Sequence, residues 1–318
     1  MKQELLFYGS PKPGMMDLLN PKFNTTNAKD ISDDATYWQG KATEVVAIVM
    51  TGHGNLTDDL MAKLPALKII SSFGVGYDSI DAVSAAKRGV VVSHTPNVLN
   101  ADVSNTAIML MLAVSRSLVV DDAYLRAGRW LKDGAAPLRQ SMDGRKVGIV
   151  GLGRIGLEIG RKLEAFDMDI SYHTRSKKNG IAYRYYQNLI EMAKDVDFIV
   201  VITPGGAATD KLISRDVMNA LGKNGTLINI ARGTVVDEAE MVKALQEGRL
   251  GGAGLDVYEA EPKVPEALFA LDNVVLLPHV GSATIGTRQA MSDLVIENLF
   301  SFFDTGKAVA PVPECADL

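Results

Sequence analysis

The sequence predicts two doubly wound α/β domains, each built on a parallel sheet. Three observations carry this. Short β-branched apolar runs alternate with longer helical stretches along the whole chain, the pattern of repeated strand–helix–strand units. Runs such as VVAIVM, KVGIV and DFIVVI are apolar at consecutive positions instead of alternating, so these strands are covered on both faces. The chain has 318 residues, and at about 150 residues per domain that makes two.

In order, strands are predicted over 4–8, 45–50, 68–72 and 90–93, then over 146–150, 169–174, 197–203, 226–230, 252–256 and 274–277. Helices are predicted over 58–64, 80–88, 103–127, 155–166, 186–193, 215–220 and 238–247. So many strands exceed a comfortable single open sheet. They divide at the turn-rich 96–100 segment and the long 103–127 helix. A loop-rich piece over 128–144 leads into the second group, and a last helix over 290–303 can return to the first.

Apolar residues make up 47% and charged residues 22%, which excludes disordered and collagen-like chains. Lys and Arg number 33 against 38 acids, a net charge of −5. That argues against nucleic acid or an anionic membrane as partner. The lone Cys315 leaves no internal disulfide or Cys-rich metal site and suits a reducing, cytoplasmic compartment. The N-terminal MKQELLFYGS lacks the apolar core of a secretory signal. The longest apolar run, 107–114, falls far short of the roughly 18 residues of a membrane span. A soluble protein is expected.

Residues 146–156 read KVGIVGLGRIG. A strand runs into Gly151-Leu152-Gly153-Arg154-Ile155-Gly156 and a helix follows, the context that makes a GxGxxG pattern meaningful. Gly151 permits the tight turn, Gly153 lets backbone amides approach a pyrophosphate, and Gly156 lets helix pack on strand. The helix N-terminus adds partial positive charge. The next strand ends in SYHTRSKK, with no acid between Ile170 and Ile181. An NAD site usually has an acid there for the ribose 2′-OH. Thr174, Arg175 and Ser176 suit a 2′-phosphate instead, so NADP is favoured over NAD; the alternative is a solvated basic loop.

Three polar groups follow late strands, where open α/β sheets bind ligands: Arg232 in INIARG, Glu261 in GLDVYEAEP and His279 in LPHVGSAT. Reducing a 2-keto acid needs a cation for the carboxylate and carbonyl oxygen, and a proton donor working near neutrality. Arg supplies a planar fork. A carboxylate beside an imidazole favours its protonated form and fixes its tautomer.

GVGYDSID, TPNVL, GLGRIG, INIARG, GLDVYEAEP and PHVGSAT together, in this order, resemble the D-isomer-specific 2-hydroxyacid dehydrogenase family over nearly the whole chain. The nearest likeness is to the NADPH-dependent glyoxylate/hydroxypyruvate reductases. The resemblance implies a Rossmann coenzyme domain over 100–286 and a flavodoxin-like substrate domain from 1–99 and 287–318. It implies a homodimer with the 103–127 helix at the interface. It gives Arg232, Glu261 and His279 as the catalytic set, and the Val75 and Gly76 amides with Arg232 as carboxylate contacts. Cofactor contacts are implied at Thr106, Arg154, Ile155, Thr203, Pro204, Ala231 and Asp256. For Thr106 a helix-interior role, and for Asp256 a strand-end cap, stand as alternatives. The implied substrates are glyoxylate or hydroxypyruvate, giving glycolate or D-glycerate. A different D-2-hydroxyacid dehydrogenase, such as a phosphoglycerate dehydrogenase, or a nucleotide-sensing corepressor-like protein is the alternative.

Some features depart from the family pattern or stay open. GGAATDK follows Thr203-Pro204 where relatives often carry an ETxG-type stretch. His53 is either an exposed loop residue or a second substrate contact. Trp130 either packs at an interface or reaches a partner subunit's site. Tyr183, Tyr185 and Tyr186 read as surface and packing aromatics, Met109 and Met111 as helix packing.

Overall fold

The computed structural model describes residues 2–52 and 54–318, so His53 lies outside the described residues. The chain divides into two compact units, Met1–Leu99 with Thr284–Leu318, and Asn100–Ala283.

The first unit opens with β1 (Gln3–Tyr8), α1 (Met15–Leu19), β2 (Phe23–Asn27), α2 (Ala35–Gln39) and β3 (Val45–Met50). It continues with α3 (Asp58–Ala62), β4 (Ile69–Ser72), α4 (Ala82–Lys87) and β5 (Val91–Ser93). The sheet order is β2-β1-β3-β4-β5, every pair parallel, the flavodoxin-like arrangement. The apolar runs of β1, β3 and β4 fill its core. Asp34, Thr57 and Asp81 accept from first-turn amides of α2, α3 and α4, and so start those helices.

The second unit begins with α5 (Asn100–Ser115), α6 (Leu118–Arg126) and α7 (Arg129–Asp133). Then come β6 (Lys146–Val150), α8 (Arg154–Leu163), β7 (Asp169–His173), β8 (Arg184–Tyr186), α9 (Leu189–Asp195) and β9 (Phe198–Val201). The unit closes with α10 (Arg215–Leu221), β10 (Thr226–Asn229), α11 (Glu238–Gln246), β11 (Gly252–Leu255) and β12 (Val274–Leu276). Its sheet order is β12-β11-β10-β9-β6-β7-β8, all parallel. That is the Rossmann order with a strand added, and it reverses between β6 and β9, the place where such sheets hold dinucleotides.

The last helix, α12 (Ile285–Thr305), belongs to the first unit and buries Val295, Ile296 and Leu299 in its core. Ser71 Oγ donates to the Val295 carbonyl at 3.0 Å. Cys315 is buried, its Sγ accepting from the Val92 amide, and burial pushes the thiol up.

Four local expectations are corrected. The 103–127 helix is two helices, α5 and α6, bent by 59° at Ser117, which takes the left-handed φ of 46°. The predicted 186–193 helix begins three residues later, because Tyr186 ends edge strand β8. β2 and β8 were not foreseen, since FNTTN and RYY lack an apolar run. The 128–144 loop contains α7. No single helix among the described residues is long and apolar enough to cross a membrane.

Candidate active site

Arg232, Glu261 and His279 follow β10, β11 and β12, three adjacent strands of the second unit. His279 Nδ1 lies 2.7 Å from Glu261 Oε2. The other oxygen, Oε1, accepts from the Tyr258 amide at 3.0 Å, so the carboxylate is aimed from behind. A carboxylate accepts, so Nδ1 carries the hydrogen and Nε2 is the nitrogen left to face a ligand. The His279 side chain is 45% exposed while Glu261 is 15% exposed. An accessible imidazole thus stands on a half-buried acid. The Glu261–Pro262 peptide is cis.

Arg232 sits on a turn shaped by Asn229, whose Nδ2 donates to the Arg232 carbonyl at 2.9 Å and whose Oδ1 accepts from Ala231 at 3.1 Å. Ala231 is therefore a buried turn residue. Arg232 Nη1 donates to the Ala231 carbonyl at 2.7 Å. A Cβ on Gly233 would stand 1.9 Å from the Tyr258 carbonyl carbon, so the turn packs directly on the Glu261-bearing segment.

His279 holds a left-handed φ of 54°, a conformation that costs a non-glycine residue about 1–2 kcal/mol. Asp256 holds it there. Its Oδ1 accepts from Val280 at 2.7 Å and its Oδ2 from Gly281 at 2.8 Å, and its own carbonyl accepts from the His279 amide at 2.9 Å. Asp256 is 2% exposed, and burial raises its carboxyl against the pull of those two amides and of His279. The carboxylate is engaged as a strand-end cap. Thr106 behaves similarly: its hydroxyl donates within α5 to Asp102 at 3.0 Å and reaches the Gly281 carbonyl at 3.3 Å. The resemblance implied cofactor contacts at both; their polar atoms in this structure serve the His279 loop.

The GxGxxG turn fits a dinucleotide. Gly151 takes φ of 99°, and a Cβ there would meet the Ile202 carbonyl and Thr203 amide at 2.8 Å. A Cβ on Gly156 would meet the Gly151 carbonyl at 2.3 Å. Gly153 has nothing within 4 Å of its would-be Cβ, and it starts α8 with no side-chain cap. The first-turn amides of α8 thus have no capping side chain, as a phosphate site requires. Arg154 is exposed and Ile155 half-buried on that first turn. After β9, Thr203 is half-buried and Pro204 exposed. Thr209 Oγ1 closes the GGAAT loop by donating to the Pro204 carbonyl at 2.7 Å.

At the end of β7, Arg175 and Ser176 are exposed, as a 2′-phosphate contact requires. Thr174 is different. Its hydroxyl donates to the Ser176 carbonyl at 2.7 Å, so it shapes the loop and keeps only acceptor capacity. Tyr185 OH donates to the Thr174 carbonyl at 3.2 Å, and Tyr186 OH to Asp195 at 2.6 Å. In the first unit, Val75 and Gly76 follow β4 on a half-buried loop, and the Thr95 amide donates to the Gly74 carbonyl at 2.8 Å.

A Rossmann sheet carrying a buttressed imidazole and a guanidinium beyond its strand ends is the equipment of a nicotinamide-dependent oxidoreductase. Residues 108–281 match the model of the D-isomer specific 2-hydroxyacid dehydrogenase NAD binding domain, and the chain belongs to that family. It is similar to a hydroxyphenylpyruvate reductase of Plectranthus scutellarioides, 49% identical over 86% of this chain and 87% of that one. It is also similar to a glyoxylate/hydroxypyruvate reductase A of Arabidopsis thaliana, 45% identical over 92% and 94%. Among solved structures, an NADPH-dependent glyoxylate/hydroxypyruvate reductase of Sinorhizobium meliloti, in complex with NADP and malonate, superposes with a TM-score of 0.93. It is 46% identical and covers 99% of this chain and 98% of that one.

Proposed function

We propose that the chain is an NADPH-dependent reductase of small 2-keto acids, with glyoxylate or hydroxypyruvate as substrate and glycolate or D-glycerate as product. The observation that carries this reading is the 2.7 Å contact of His279 Nδ1 with Glu261. It makes Nε2 a proton donor of fixed direction. When bound, NADPH supplies the hydride that reduces C2. His279 Nε2 gives its proton to the carbonyl oxygen, and Glu261 stabilises the imidazolium beforehand. The Arg232 guanidinium polarises that oxygen and meets the carboxylate. The Val75 and Gly76 amides would be further contacts for the carboxylate.

The cofactor's diphosphate would lie on Gly153, Arg154 and Ile155, and its 2′-phosphate on Arg175 and Ser176. Thr203 and Pro204 would line the adenine side, and Ala231 would be a further contact at the nicotinamide end. Thr106 and Asp256 would support that end through the His279 loop.

A homodimer is part of the proposal. Its face would be α5 and α6, where Leu118, Val119 and Leu125 are more than half exposed. A cleft of about 640 Å³ lies there, lined by Ile108, Met109, Leu112 and Leu118 among others; none of Arg232, Glu261 or His279 lines it. A second copy of the same apolar face would cover it. A cytoplasmic location would suit the lone, buried Cys315.

Initial rates with glyoxylate, hydroxypyruvate, pyruvate and 3-phosphohydroxypyruvate, each with NADPH and with NADH, test the reading. Fastest turnover is expected for the first two with NADPH. Preference for the phosphorylated acid would make the chain a phosphoglycerate dehydrogenase instead. Cofactor binding without any turnover would return the nucleotide-sensing alternative.

A further inference from the structure

His94 is buried at the end of β5, with 8% of its surface exposed, and the chemistry above makes no use of it. Its Nδ1 lies 2.9 Å from the Val75 carbonyl. A carbonyl only accepts, so Nδ1 carries the hydrogen. The next residue's amide, Thr95 N–H, donates to the Gly74 carbonyl at 2.8 Å. Two successive peptide carbonyls of the glycine loop are therefore tied to two successive residues after β5. In a trans peptide the C=O and N–H point in opposite directions. Tying the Gly74 carbonyl turns the Val75 amide away from Thr95, and tying the Val75 carbonyl turns the Gly76 amide away from His94. The result is a pair of neighbouring N–H groups on one side of the loop, the concave arrangement that suits an anion.

His94 is itself fixed from several directions. Its amide donates to the Ala310 carbonyl at 3.1 Å. Its carbonyl accepts from Asn298 Nδ2 at 3.2 Å. Asn298 has no exposed surface, and its Oδ1 accepts from the Ala310 amide at 2.7 Å. The imidazole packs edge-on against Tyr77, ring centres 5.6 Å apart at 89°, and Tyr77 OH donates to Glu314 at 3.1 Å. A full set of polar contacts from α12 and the C-terminal segment converges on one histidine, whose ring nitrogen holds one carbonyl of the loop.

We propose that His94 is a positioning residue for substrate: its Nδ1–H, by holding the Val75 carbonyl, aims the Gly76 amide at the carboxylate of the 2-keto acid. The inference rests on the reading of this loop as a carboxylate contact. His94 touches no substrate atom and takes no part in proton transfer. It sets affinity for the carboxylate, not the rate at carbon.

Oxamate, an unreactive 2-oxo carboxylate analogue, separates these effects when titrated into the full-length enzyme with NADPH bound. His94→Leu is expected to raise the Kd for oxamate and the KM for glyoxylate by roughly tenfold or more, the effect of losing one aligned hydrogen bond to a charged group. The Kd for NADPH and kcat at saturating glyoxylate should stay close to the parent's. His94→Asn should recover most of the lost affinity, because its amide nitrogen sits where Nδ1 does. Should His94→Leu unfold, His94→Asn and His94→Asp decide the matter. They are isosteric, but an ionised Asp offers the Val75 carbonyl only acceptors, so Asn must bind oxamate more tightly; equal affinities overturn the proposal. A parent that binds no oxamate overturns both the functional reading and this inference. A parent that binds it, with His94→Leu unaltered, overturns this inference alone.

Discussion

Replacing Asp256 by Asn removes one hydrogen bond and almost no volume. Its two oxygens accept from Val280 at 2.7 Å and Gly281 at 2.8 Å. An amide can accept from only one of these and turns a donor toward the other. The bond lost, to an ionised group, is worth about 1.5–3 kcal/mol. The left-handed backbone of His279 costs about 1–2 kcal/mol, so the missing bond is as large as the strain it restrains. The loop should relax, and kcat for glyoxylate should fall about 10- to 150-fold. Steady-state kinetics at saturating NADPH measure this, alongside a fluorescence titration of NADPH. A parental kcat would refute the reasoning. So would a rise in NADPH Kd that accounts for the whole loss, since Asp256 would then be a cofactor contact.

Four further outcomes are expected. His279→Ala should lose about 10²–10⁴ in kcat with NADPH affinity intact; parental turnover would sink the mechanism. In Glu261→Gln the amide can accept from the Tyr258 amide or from His279 Nδ1–H but not from both, so kcat should fall with NADPH affinity intact, and an unchanged kcat breaks the pairing. Arg175→Ala should raise the KM for NADPH roughly 10-fold and leave NADH unchanged; equal loss for both cofactors means the loop was misread. Gly233→Ala would place a methyl 1.9 Å from the Tyr258 carbonyl carbon, an overpacking that costs about 1–3 kcal/mol or more, and an unchanged melting temperature would contradict it.

The sheets were legible because their central strands are buried on both faces: VVAIVM and FIVV leave little else to read. Edge strands carry no such mark. FNTTN in β2 pairs through its backbone along β1 only, and its side chains do not announce it. The break between α5 and α6 was hidden too, because Ser117 turns left-handed with neither Gly nor Pro beside it. At the site, Gly151, Gly153 and Gly156 could be read from local context, and Arg232, Glu261 and His279 stood out as polar groups after late strands, their catalytic roles coming with the family resemblance. The tasks of Asp256 and His94 could not. Asp256 bonds residues 24 and 25 positions away, and His94 reaches back 19 positions to Val75. Such contacts exist only once neighbouring strands are side by side.

The three glycines after β6 fail in different ways. A side chain at Gly151 or Gly156 collides with backbone at 2.8 or 2.3 Å, whereas one at Gly153 enters free volume from an extended backbone that any residue adopts. A library of variants sorted only by cellular abundance or heat resistance should reject changes at the first two and pass alanine, serine or valine at the third. The same library sorted by growth that depends on the reaction product being made should reject all three. Gly153 is thus a position where a healthy, well-folded and fully expressed protein can be inert, and abundance measurements alone would score such a variant as harmless.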